Sequence, residues 1–517
     1  MVMKKRLAAA LSLAITLSAA AGCGSDGDKE TAPAASASPL ASAAATATAK
    51  PAAPVKLEVA QISWGASVPA DDFVKKELDK KLNLQLTQLL VADQKDYENQ
   101  INVRAASNNL PDLFMATSKA HVQKLAESGM LLDLTPYLDK LADYKNFAGA
   151  DVLKKGIVNG KQYALPKAGQ AVTHTYWIRK DWLDALKLQP PTSIDELLNV
   201  AKAFTENDPD GNGKKDTFGL TGTALATFEP IYGAHGVSSA GAFFQKDGAE
   251  VVNTYYQPGM KDALAAVKKF LDAGVVDPEV ISNKGTAARD KAFQGKVGII
   301  NSEWAQFMKE DAMKIWKDAN PKAEWIQLAA PKGPSGIANA NSINIGAASG
   351  LFVIPKSLEG QQEKLNKIFE VLNYLSTEEG NLLVQFGLKG THFTLENGKA
   401  AMTEQGKKDT GFTWLYQYTG RQETEYLKTK FPTVTAYIDF EAKLPRIKTL
   451  DGFVQNPQGF NAADATRYIE EETFKFIYGK RDLNEYDKFL QTLETTFGYK
   501  AYVESAIKQL KDLGYGK

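Results

Sequence analysis

The sequence predicts an α/β protein built of two or more lobes, and two observations support this fold class. Apolar residues change repeatedly between the alternation typical of strands and the three-to-four-residue spacing typical of helices. About 460 of the 517 residues follow an N-terminal segment that is poor in large apolar groups, which is too many for one hydrophobic core. Strands and helices that take turns along the chain indicate βα units and a largely parallel sheet.

The individual elements follow from local spacing. The first four apolar triplets predict a strand, a helix, a strand and a helix in turn: Val55, Leu57, Val59; Val74, Leu78, Leu82; Leu82, Leu84, Leu86; and Tyr97, Ile101, Ala105. Ser193 predicts a helix start, because its hydroxyl can cap the first turn while Glu196 returns the bond. Residues 297–300 predict a short buried strand, and the chain after about Thr377 is mostly helical in pattern.

The N-terminus has the composition of an export signal. Lys4, Lys5 and Arg6 precede a weakly polar or apolar run over residues 7–21, which is too short to cross a bilayer. Small residues then lead directly to Cys23, and this stretch resembles the lipobox of bacterial lipoproteins. We therefore expect residues 1–22 to be a signal peptide and Cys23 to carry a lipid anchor such as palmitate, holding the protein at the extracytoplasmic face of the cell membrane.

Residues 23–54 are predicted to be a disordered tether, because Ala, Ser, Thr and Pro dominate this segment and cannot bury enough surface to order it. No second apolar run of membrane length follows. Lys plus Arg equals Asp plus Glu, at 61 each, so neither nucleic acid nor an anionic membrane surface is indicated as a partner. Cys23 is the only cysteine, which excludes an internal disulfide and a thiolate metal site. We expect a monomer.

Motifs for catalysis are missing from the sequence. The four histidines have no metal-ligand spacing, and neither a nucleophile elbow nor a phosphate loop occurs: His121, His174, His235 and His392. A binding protein is therefore expected rather than an enzyme. A glycoside hydrolase stays open, because paired carboxylates leave no sequence signature, and so does a surface adhesin.

The sharpest local motif is a candidate calcium loop after the helix that begins near Ser193. Oxygen-bearing side chains at positions 1, 3, 5 and 9, with glycine at 6, follow the order in which an EF-hand loop surrounds Ca²⁺. The predicted ligands are Asp208, Asp210, Asn212, the Lys214 carbonyl and Asp216. The loop lacks the glutamate at position 12, and Thr217 stands where the calcium loops of the lipoproteins that this sequence resembles often carry an acid, so water or Glu206 would have to complete the shell. An ordinary Asp/Asn/Gly turn is the alternative.

Six segments together resemble the family-one extracellular solute-binding proteins, which are lipoproteins of sugar ABC importers. They are 105–114 (AASNNLPDLF), 125–134 (LAESGMLLDL), 160–166 (GKQYALP), 176–183 (YWIRKDWL), 293–304 (FQGKVGIINSEW) and 387–394 (GLKGTHFT). In the last segment, Lys389 stands where this group often has an acid. The resemblance implies a two-lobed fold of the maltose-binding type with a ligand cleft between the lobes. It places residues 55–172 and 325–380 in the first lobe and residues 173–324 and 381–517 in the second.

The resemblance further implies capture of an oligosaccharide and its delivery to an ABC permease, with peptide or iron cargo as the alternative. Sugars stack their C–H faces on aromatic rings and pair their hydroxyls with polar side chains, so Trp or Tyr beside polar residues marks candidate contacts. These are Trp64, Trp177 with Arg179, Trp304, and Trp414 with Tyr416 and Tyr418, which alternate and could share one face. For each, burial in a core is the alternative. Trp182 is expected to be core, and Arg179 and Arg421 could pair with a uronate or with surface acids.

Overall fold

The computed structural model describes residues 53–169 and 174–516, and Ala52–Lys517 forms one compact unit. The predicted signal peptide, Cys23 and nearly all of the predicted tether lie outside the described residues. Within residues 53–169 and 174–516, no helix combines the length and the apolar character that crossing a membrane requires.

Seventeen strands occur in the described part of the chain. They are β1 (Val55–Ile62), β2 (Leu84–Val91), β3 (Leu113–Ala116), β4 (Ile157–Val158), β5 (Lys161–Gln162), β6 (Ala164–Pro166), β7 (His174–Arg179), β8 (Phe218–Thr221), β9 (Phe243–Lys246), β10 (Glu250–Asn253), β11 (Val297–Glu303), β12 (Trp325–Gln327), β13 (Ala340–Asn344), β14 (Leu351–Val353), β15 (Phe393–Glu396), β16 (Lys399–Met402) and β17 (Arg446–Thr449).

The same residues form twenty α-helices. They are α1 (Phe73–Leu82), α2 (Gln94–Ala106), α3 (Lys119–Glu127), α4 (Ala142–Ala148), α5 (Ala150–Lys154), α6 (Lys180–Ala185), α7 (Ile194–Glu206), α8 (Glu229–Ala234), α9 (Gly259–Asp272), α10 (Ala287–Phe293), α11 (Trp304–Met308), α12 (Glu310–Ala319), α13 (Gln362–Ser376), α14 (Glu378–Phe386), α15 (Glu404–Asp409), α16 (Glu423–Lys430), α17 (Thr435–Lys443), α18 (Ala462–Ile477), α19 (Tyr486–Phe497) and α20 (Tyr499–Asp512). Short 3-10 helices connect several of them, including Thr410–Tyr416.

The first elements match their predicted periods closely. β1 pairs in parallel with β2 over its full length, from Val55 opposite Leu84 to Ile62 opposite Val91. The helix α1 separates them and takes Leu82, whose spacing fits both periods, so β2 begins only at Leu84.

The start of α7 is capped as predicted, with one difference. The Ser193 hydroxyl accepts a bond from the Glu196 N–H (3.2 Å). The Glu196 carboxylate accepts from the backbone N–H and the hydroxyl of Thr192 (2.7 and 2.8 Å), and the Ser193 backbone N–H also helps to lower its pKa. The carboxylate therefore fixes the residue before the cap as well as the first turn.

Three larger sheets carry the fold. The first has the strand order β2-β1-β3-β14-β6, the second β12-β7-β11-β8 and the third β10-β9-β17-β13. Two small hairpins, β4-β5 and β15-β16, lie outside them.

The prediction of a largely parallel sheet is wrong, because each larger sheet is mixed. In the first sheet, β14 runs antiparallel to both β3 and β6, and in the second β7 runs antiparallel to both β11 and β12. The helical crossovers behind the parallel prediction connect β1, β2 and β3, whereas β14 reaches its sheet after a long excursion of the chain and pairs from the opposite direction.

Two large hydrophobic cores underlie the sheets. The first draws on residues 57–165, 351–384 and 412–418, and the second on residues 176–328 and 465–499. Leu383, Val384 and residues 412–418 thus pack in the first core, although the sequence-based division assigns them to the second lobe, and Leu328 packs in the second core, although it is assigned to the first lobe. The remaining boundaries of that division stay a prediction.

Candidate ligand-binding site

The carboxyl end of β1 presents an indole ring to solvent. Residues 63–66 form a turn closed by the Ala66 N–H and the Ser63 carbonyl (2.8 Å), and the Ser63 N–H donates to the Val91 carbonyl at the end of β2 (2.8 Å). Trp64 has φ 49° and Gly65 has φ 81°. Two successive positive φ angles define a type I′ turn, in which Asn, Asp or Gly is preferred and a bulky residue is strained. The bulky Trp64 nevertheless occupies the first of these two positions, and 65% of its surface is exposed.

Trp177 and Arg179 are buried on β7. The Trp177 ring stacks on Phe307 with a centroid distance of 4.9 Å and an interplanar angle of 6°. The Arg179 guanidinium binds the Asp181 carboxylate through two hydrogen bonds (2.7 and 2.5 Å) and lies 4.6 Å from the Trp182 ring centroid. Trp182 is 1% exposed, which confirms the prediction that it is core. Contact of Trp177 or Arg179 with a ligand would therefore require repacking.

Trp304 begins α11 directly after β11 and is 2% exposed. It belongs to the same apolar cluster as Trp177 and packs edge-on against Phe431, with a centroid distance of 5.3 Å. Its neighbour Glu303, the last residue of β11, is partly exposed, as is Asn301 of the same strand. The carboxyl end of β11 is thus polar at its surface and aromatic beneath it.

A buried polar cluster lies beside Trp304. The Glu441 carboxyl group is fully buried and accepts one bond from the Gln327 side-chain amide (2.9 Å), while its Oε2 atom has no partner among the described residues. Burial raises the pKa of Glu441 to about 9. Burial likewise lowers the pKa of Arg446 to about 10, and its guanidinium donates to the carbonyls of Asn341 and His174 (2.8 and 2.9 Å). A raised carboxyl pKa is typical of a general acid, but Glu441 has no surface that a substrate could reach.

Trp414 and Tyr416 lie in a 3-10 helix, and this overturns one prediction. With three residues per turn, Trp414 and Tyr416 point to different sides, so their spacing of two does not place them on one shared face. Tyr418 follows this helix, and its ring lies beside that of Tyr416 at a centroid distance of 6.3 Å. Trp414 is half-buried against the first core. Tyr416 and Tyr418 are each 1% exposed, and their hydroxyl groups bind Asp72 and the Gln88 side chain respectively.

An aromatic-lined cavity of about 650 Å³ lies beside the carboxyl end of β8. The loop after β8, the loop over residues 239–242, and the helices α18 and α20 contribute to its wall. Its aromatic lining consists of Tyr232, Tyr255, Phe460, Phe474, Tyr499 and Tyr502. The rings of Phe460 and Tyr502 stack at a centroid distance of 4.4 Å, with an interplanar angle of 5°.

Polar groups accompany these rings. Asp451 and Glu470 line the cavity, and the Asp451 carboxylate accepts bonds from the N–H groups of Ala242 and Phe243 (2.8 and 3.4 Å). Burial raises the pKa of Asp451. The Tyr232 hydroxyl is buried and has no partner among the described residues. Unpaired buried hydroxyl groups are rare in folded proteins, so one at a cavity wall indicates a missing polar partner.

None of the six predicted ligand-binding residues lines this cavity. Sequence reasoning missed its rings because Tyr499 and Tyr502 stand three apart on a helix, a spacing that is equally typical of a buried helix face. The wall also combines segments more than 200 residues apart, from the loop after β8 to α20, and only folding brings them together. The clustering of tyrosines near the C-terminus was the only available signal.

The candidate calcium loop is a tight, self-bonded turn. The two Asp208 carboxylate oxygens accept from the N–H groups of Asn212 and Gly213 (3.0 and 2.9 Å). The Gly213 N–H lowers the pKa of Asp208, and burial raises that of Asp210. The Asn212 side-chain amide donates to Asp210 and Asp216 (2.9 and 3.1 Å). An NH₂ group thus stands between two carboxylates, in a position that suits a cation.

The fit of this loop to calcium is partial. Thr217 is buried and donates to the Phe204 carbonyl (2.7 Å), so it is engaged in the fold. Across the described ranges, no group of three or more His, Cys, Asp or Glu side chains has a metal-holding arrangement. The oxygen chemistry of the loop suits Ca²⁺, but Asp208 would have to turn away from the backbone and the Asn212 amide would have to reverse.

His392 has a structural role, as its hydrogen bond and its ring contact indicate. The His392 Nδ1 atom accepts from the Leu388 N–H (2.9 Å), and its ring packs on Phe73 with a centroid distance of 4.3 Å. Burial lowers the pKa of His392. The His392 ring is 4% exposed and therefore has no open face for a substrate.

Comparison with known proteins identifies relatives and fold neighbours. The polygalacturonan/rhamnogalacturonan-binding protein YtcQ of Bacillus subtilis is 27% identical over 485 residues, which cover 89% of this chain and 93% of that protein. The alginate-binding protein AlgQ2, solved without calcium ion, superposes with a TM-score of 0.67 at 19% identity over 89% of this chain and 98% of its own. An EF-hand mutant of the Streptococcus pneumoniae substrate-binding protein FusA, in complex with fructo-nystose, superposes with a TM-score of 0.65 at 18% sequence identity. The match covers 89% of this chain and 99% of that one.

These neighbours confirm the predicted fold class, which is α/β and two-lobed, of the maltose-binding type. The relatives are binding proteins by name, which favours a binding role over an enzymatic one. A model of bacterial extracellular solute-binding proteins matches residues 59–382, more than half of the chain. The chain belongs to the bacterial extracellular solute-binding protein family.

Proposed function

We propose that the protein is a lipid-anchored extracytoplasmic binding protein that captures an oligosaccharide and delivers it to the permease of an ABC transporter. The observation that carries this proposal is the aromatic-lined cavity beside β8, which combines six aromatic rings with two carboxyl groups. Its volume of about 650 Å³ lies within the usual range of ligand pockets. Family membership and relatives that bind polygalacturonan or fructo-nystose support a sugar rather than a peptide or iron.

The chemistry of the cavity suits a sugar. Flat rings such as the stacked pair Phe460 and Tyr502 can cover the C–H faces of a pyranose. The Asp451 and Glu470 carboxyl groups and the unpartnered Tyr232 hydroxyl can pair with hydroxyl groups, which are both donors and acceptors. A purely apolar ligand would leave these polar groups unpaired and would therefore bind at a disadvantage.

Two further features of the sequence belong to this proposal. Residues 1–22 would be removed as a signal peptide, Cys23 would carry the lipid, and residues 23–54 would form the tether. Residues 55–172 with 325–380, and 173–324 with 381–517, would be the two lobes, apart from Leu383, Val384 and residues 412–418, which pack in the first core, and Leu328, which packs in the second. All residues that line the cavity beside β8 belong to the second of these lobes. The protein would act as a monomer with a sugar and a permease as partners, and without nucleic acid.

Trp64 is the strongest of the sequence-predicted contacts, because it is exposed at a strand end in a strained turn. Trp414 is half-buried and retains a partly open surface. Trp177, Arg179, Trp304 and Tyr416 would contact a ligand only after a change in packing.

Calcium would be a structural cofactor of this protein, held by Asp208, Asp210, Asn212, Asp216 and the Lys214 carbonyl. The support is the Asn212 amide group between two carboxylates, together with the fold neighbour FusA, which was solved as an EF-hand mutant. Bound there, the ion would hold the loop between α7 and β8 in place and would have a structural rather than a catalytic role.

The proposal is tested by isothermal titration of the purified protein with a panel of plant and microbial oligosaccharides. We expect binding with micromolar or tighter affinity and no release of reducing ends. Phe460→Ala should weaken binding by about tenfold, because it removes one of the stacked rings. Tyr478→Ala is the matched control, since Tyr478 is an exposed aromatic residue (43%) outside the cavity. Release of reducing ends, or equal effects of both variants, would contradict the proposal.

A further inference from the structure

Two lysines follow strands of the first sheet at the edge that the carboxyl ends of β3 and β6 form. Ala116 of β3 pairs with Leu351 of β14, and Leu351 pairs with Pro166 of β6. The carboxyl ends of β3 and β6 are therefore separated by two inter-strand spacings, about 10 Å. Lys167 follows β6 directly, and Lys119 follows β3 as the first residue of α3. This is the edge at which β1 ends and Trp64 is exposed.

Neither lysine has an anionic group within hydrogen-bonding distance among the described residues. Both side chains are half-buried, and no ion pair or hydrogen bond engages either ammonium group in residues 53–169 and 174–516. The stem of Lys167 lies across the backbone of Gly350, where an added Cβ would come within 2.7 Å of it. Burial lowers the pKa of Lys119 and of Lys167 to about 8. The free protein thus holds two poorly solvated ammonium groups, which its own fold does not neutralise.

The surroundings increase this imbalance. Lys119 stands in the first turn of α3 after the cap Ser118, and that turn contains no acidic residue, so a cation lies at the positive end of the helix. Near Lys167, Arg421 and Glu423 are bound to each other through two hydrogen bonds (2.6 and 2.7 Å). Glu423 is therefore already engaged and leaves the Lys167 ammonium group unpaired.

The aromatic cavity beside β8 differs in charge. Asp451 and Glu470 line it, and no lysine or arginine does so. A carboxylate placed there would meet like charge, whereas hydroxyl groups would find acceptors. This cavity therefore suits the hydroxyl groups of a ligand, whereas its carboxylates would have to be recognised elsewhere.

We propose that Lys119 and Lys167 bind the carboxylates of an acidic, uronate-containing oligosaccharide, each through a charge-assisted hydrogen bond. This inference rests on the proposed function, since it names the class of sugar that the same protein takes. A bound uronate would supply the missing counter-charge at the sheet edge. It would also explain why two cations are retained where they oppose the stability of the free fold.

The experiment compares trigalacturonate with its fully methyl-esterified counterpart, which has the same length and rings but no charge. For the wild-type chain we expect the acid to bind at least tenfold more tightly than the ester. Lys119→Met and Lys167→Met should each weaken binding of the acid by about tenfold or more and leave binding of the ester within about twofold. Lys124→Met is the matched control, because Lys124 is exposed on the same helix, and it should bind both sugars as the wild type does.

A second measurement separates this role from misfolding. Removing a poorly solvated charge should leave the melting temperature of the ligand-free variants equal to or above that of the wild type. The inference is overturned if the ester or only neutral fructo-oligosaccharides bind as well as or better than the acid, or if both methionine variants keep full affinity for it. Failure of every oligosaccharide to bind would instead refute the proposed function, and this inference with it.

Discussion

Replacing Trp64 by Asn should stabilise the ligand-free protein while it weakens sugar binding. Trp64 occupies the first central position of a type I′ turn with φ 49°, and a left-handed backbone costs most residues about 1–2 kcal/mol but is readily adopted by Asn. Since 65% of Trp64 is exposed, the substitution gives up little buried surface. We therefore expect a net gain of about 1 kcal/mol.

The expected thermal shift follows from protein size. Unfolding entropies near 2.1 cal/mol/K per residue give about 1 kcal/mol/K for roughly 460 residues, so the gain corresponds to a rise of about 1 °C. Differential scanning calorimetry in replicate can resolve this. Loss of one stacking aromatic should meanwhile weaken oligosaccharide binding by about 2 kcal/mol, or about thirtyfold.

The control is Tyr478→Asn, which removes an exposed aromatic side chain from a backbone position with φ −92° and should change neither quantity. Stability and affinity must move in opposite directions for Trp64→Asn. A fall in melting temperature would show that the turn does not strain the indole. Unchanged affinity would show that the exposed ring is not a sugar contact.

Three further outcomes follow from the charges. Affinity for trigalacturonate should fall about tenfold per lysine between pH 7 and pH 9 at constant ionic strength, because Lys119 and Lys167 lose their protons near pH 8. The other charged groups that face Lys167, Arg421 and Glu423, already form an ion pair with each other. In calorimetric titrations, Lys119→Met should make the pH dependence of the affinity less steep. Saturating Ca²⁺ should raise the melting temperature by about 3 °C at 100-fold over its Kd, reversibly with chelator, and Asp208→Asn should abolish the shift. Glu441, whose pKa burial raises to about 9, stays protonated in the fold between pH 4.5 and 9 while the unfolded chain ionises, so stability falls as pH rises through this window. Glu441→Gln should therefore be more stable than wild type at pH 8 but not at pH 4, by urea denaturation; a constant difference would contradict the assignment.

The elements near the N-terminus of the described chain could be predicted from sequence because their patterns are local. Val55, Leu57 and Val59 alternate with the more exposed Lys56 and Glu58 in the first half of β1, and Val74, Leu78 and Leu82 form the buried stripe of α1. The Ser193 cap and the burial of Trp182 also follow from neighbours within one or two turns. The fold class followed from this alternation of elements and from a set of short family-like segments.

The sequence could not determine which tryptophans face solvent. Trp64 and Trp304 both follow strands beside polar residues, yet one is 65% exposed and the other 2%. The difference comes from tertiary packing, because Phe431, far along the chain, covers Trp304, whereas no described residue covers Trp64 in the turn after β1 in this way.

Sequence alone therefore determined the βα alternation, the family and the oxygen-rich loop at Asp208, since each depends on residues close together in the chain. Only the tertiary structure brought together the aromatic cavity, whose wall joins the loop after β8 to α18 and α20, and the unpaired Lys119 and Lys167 at one sheet edge. Burial and charge compensation depend on groups contributed by distant segments, and no local pattern of residues specifies them.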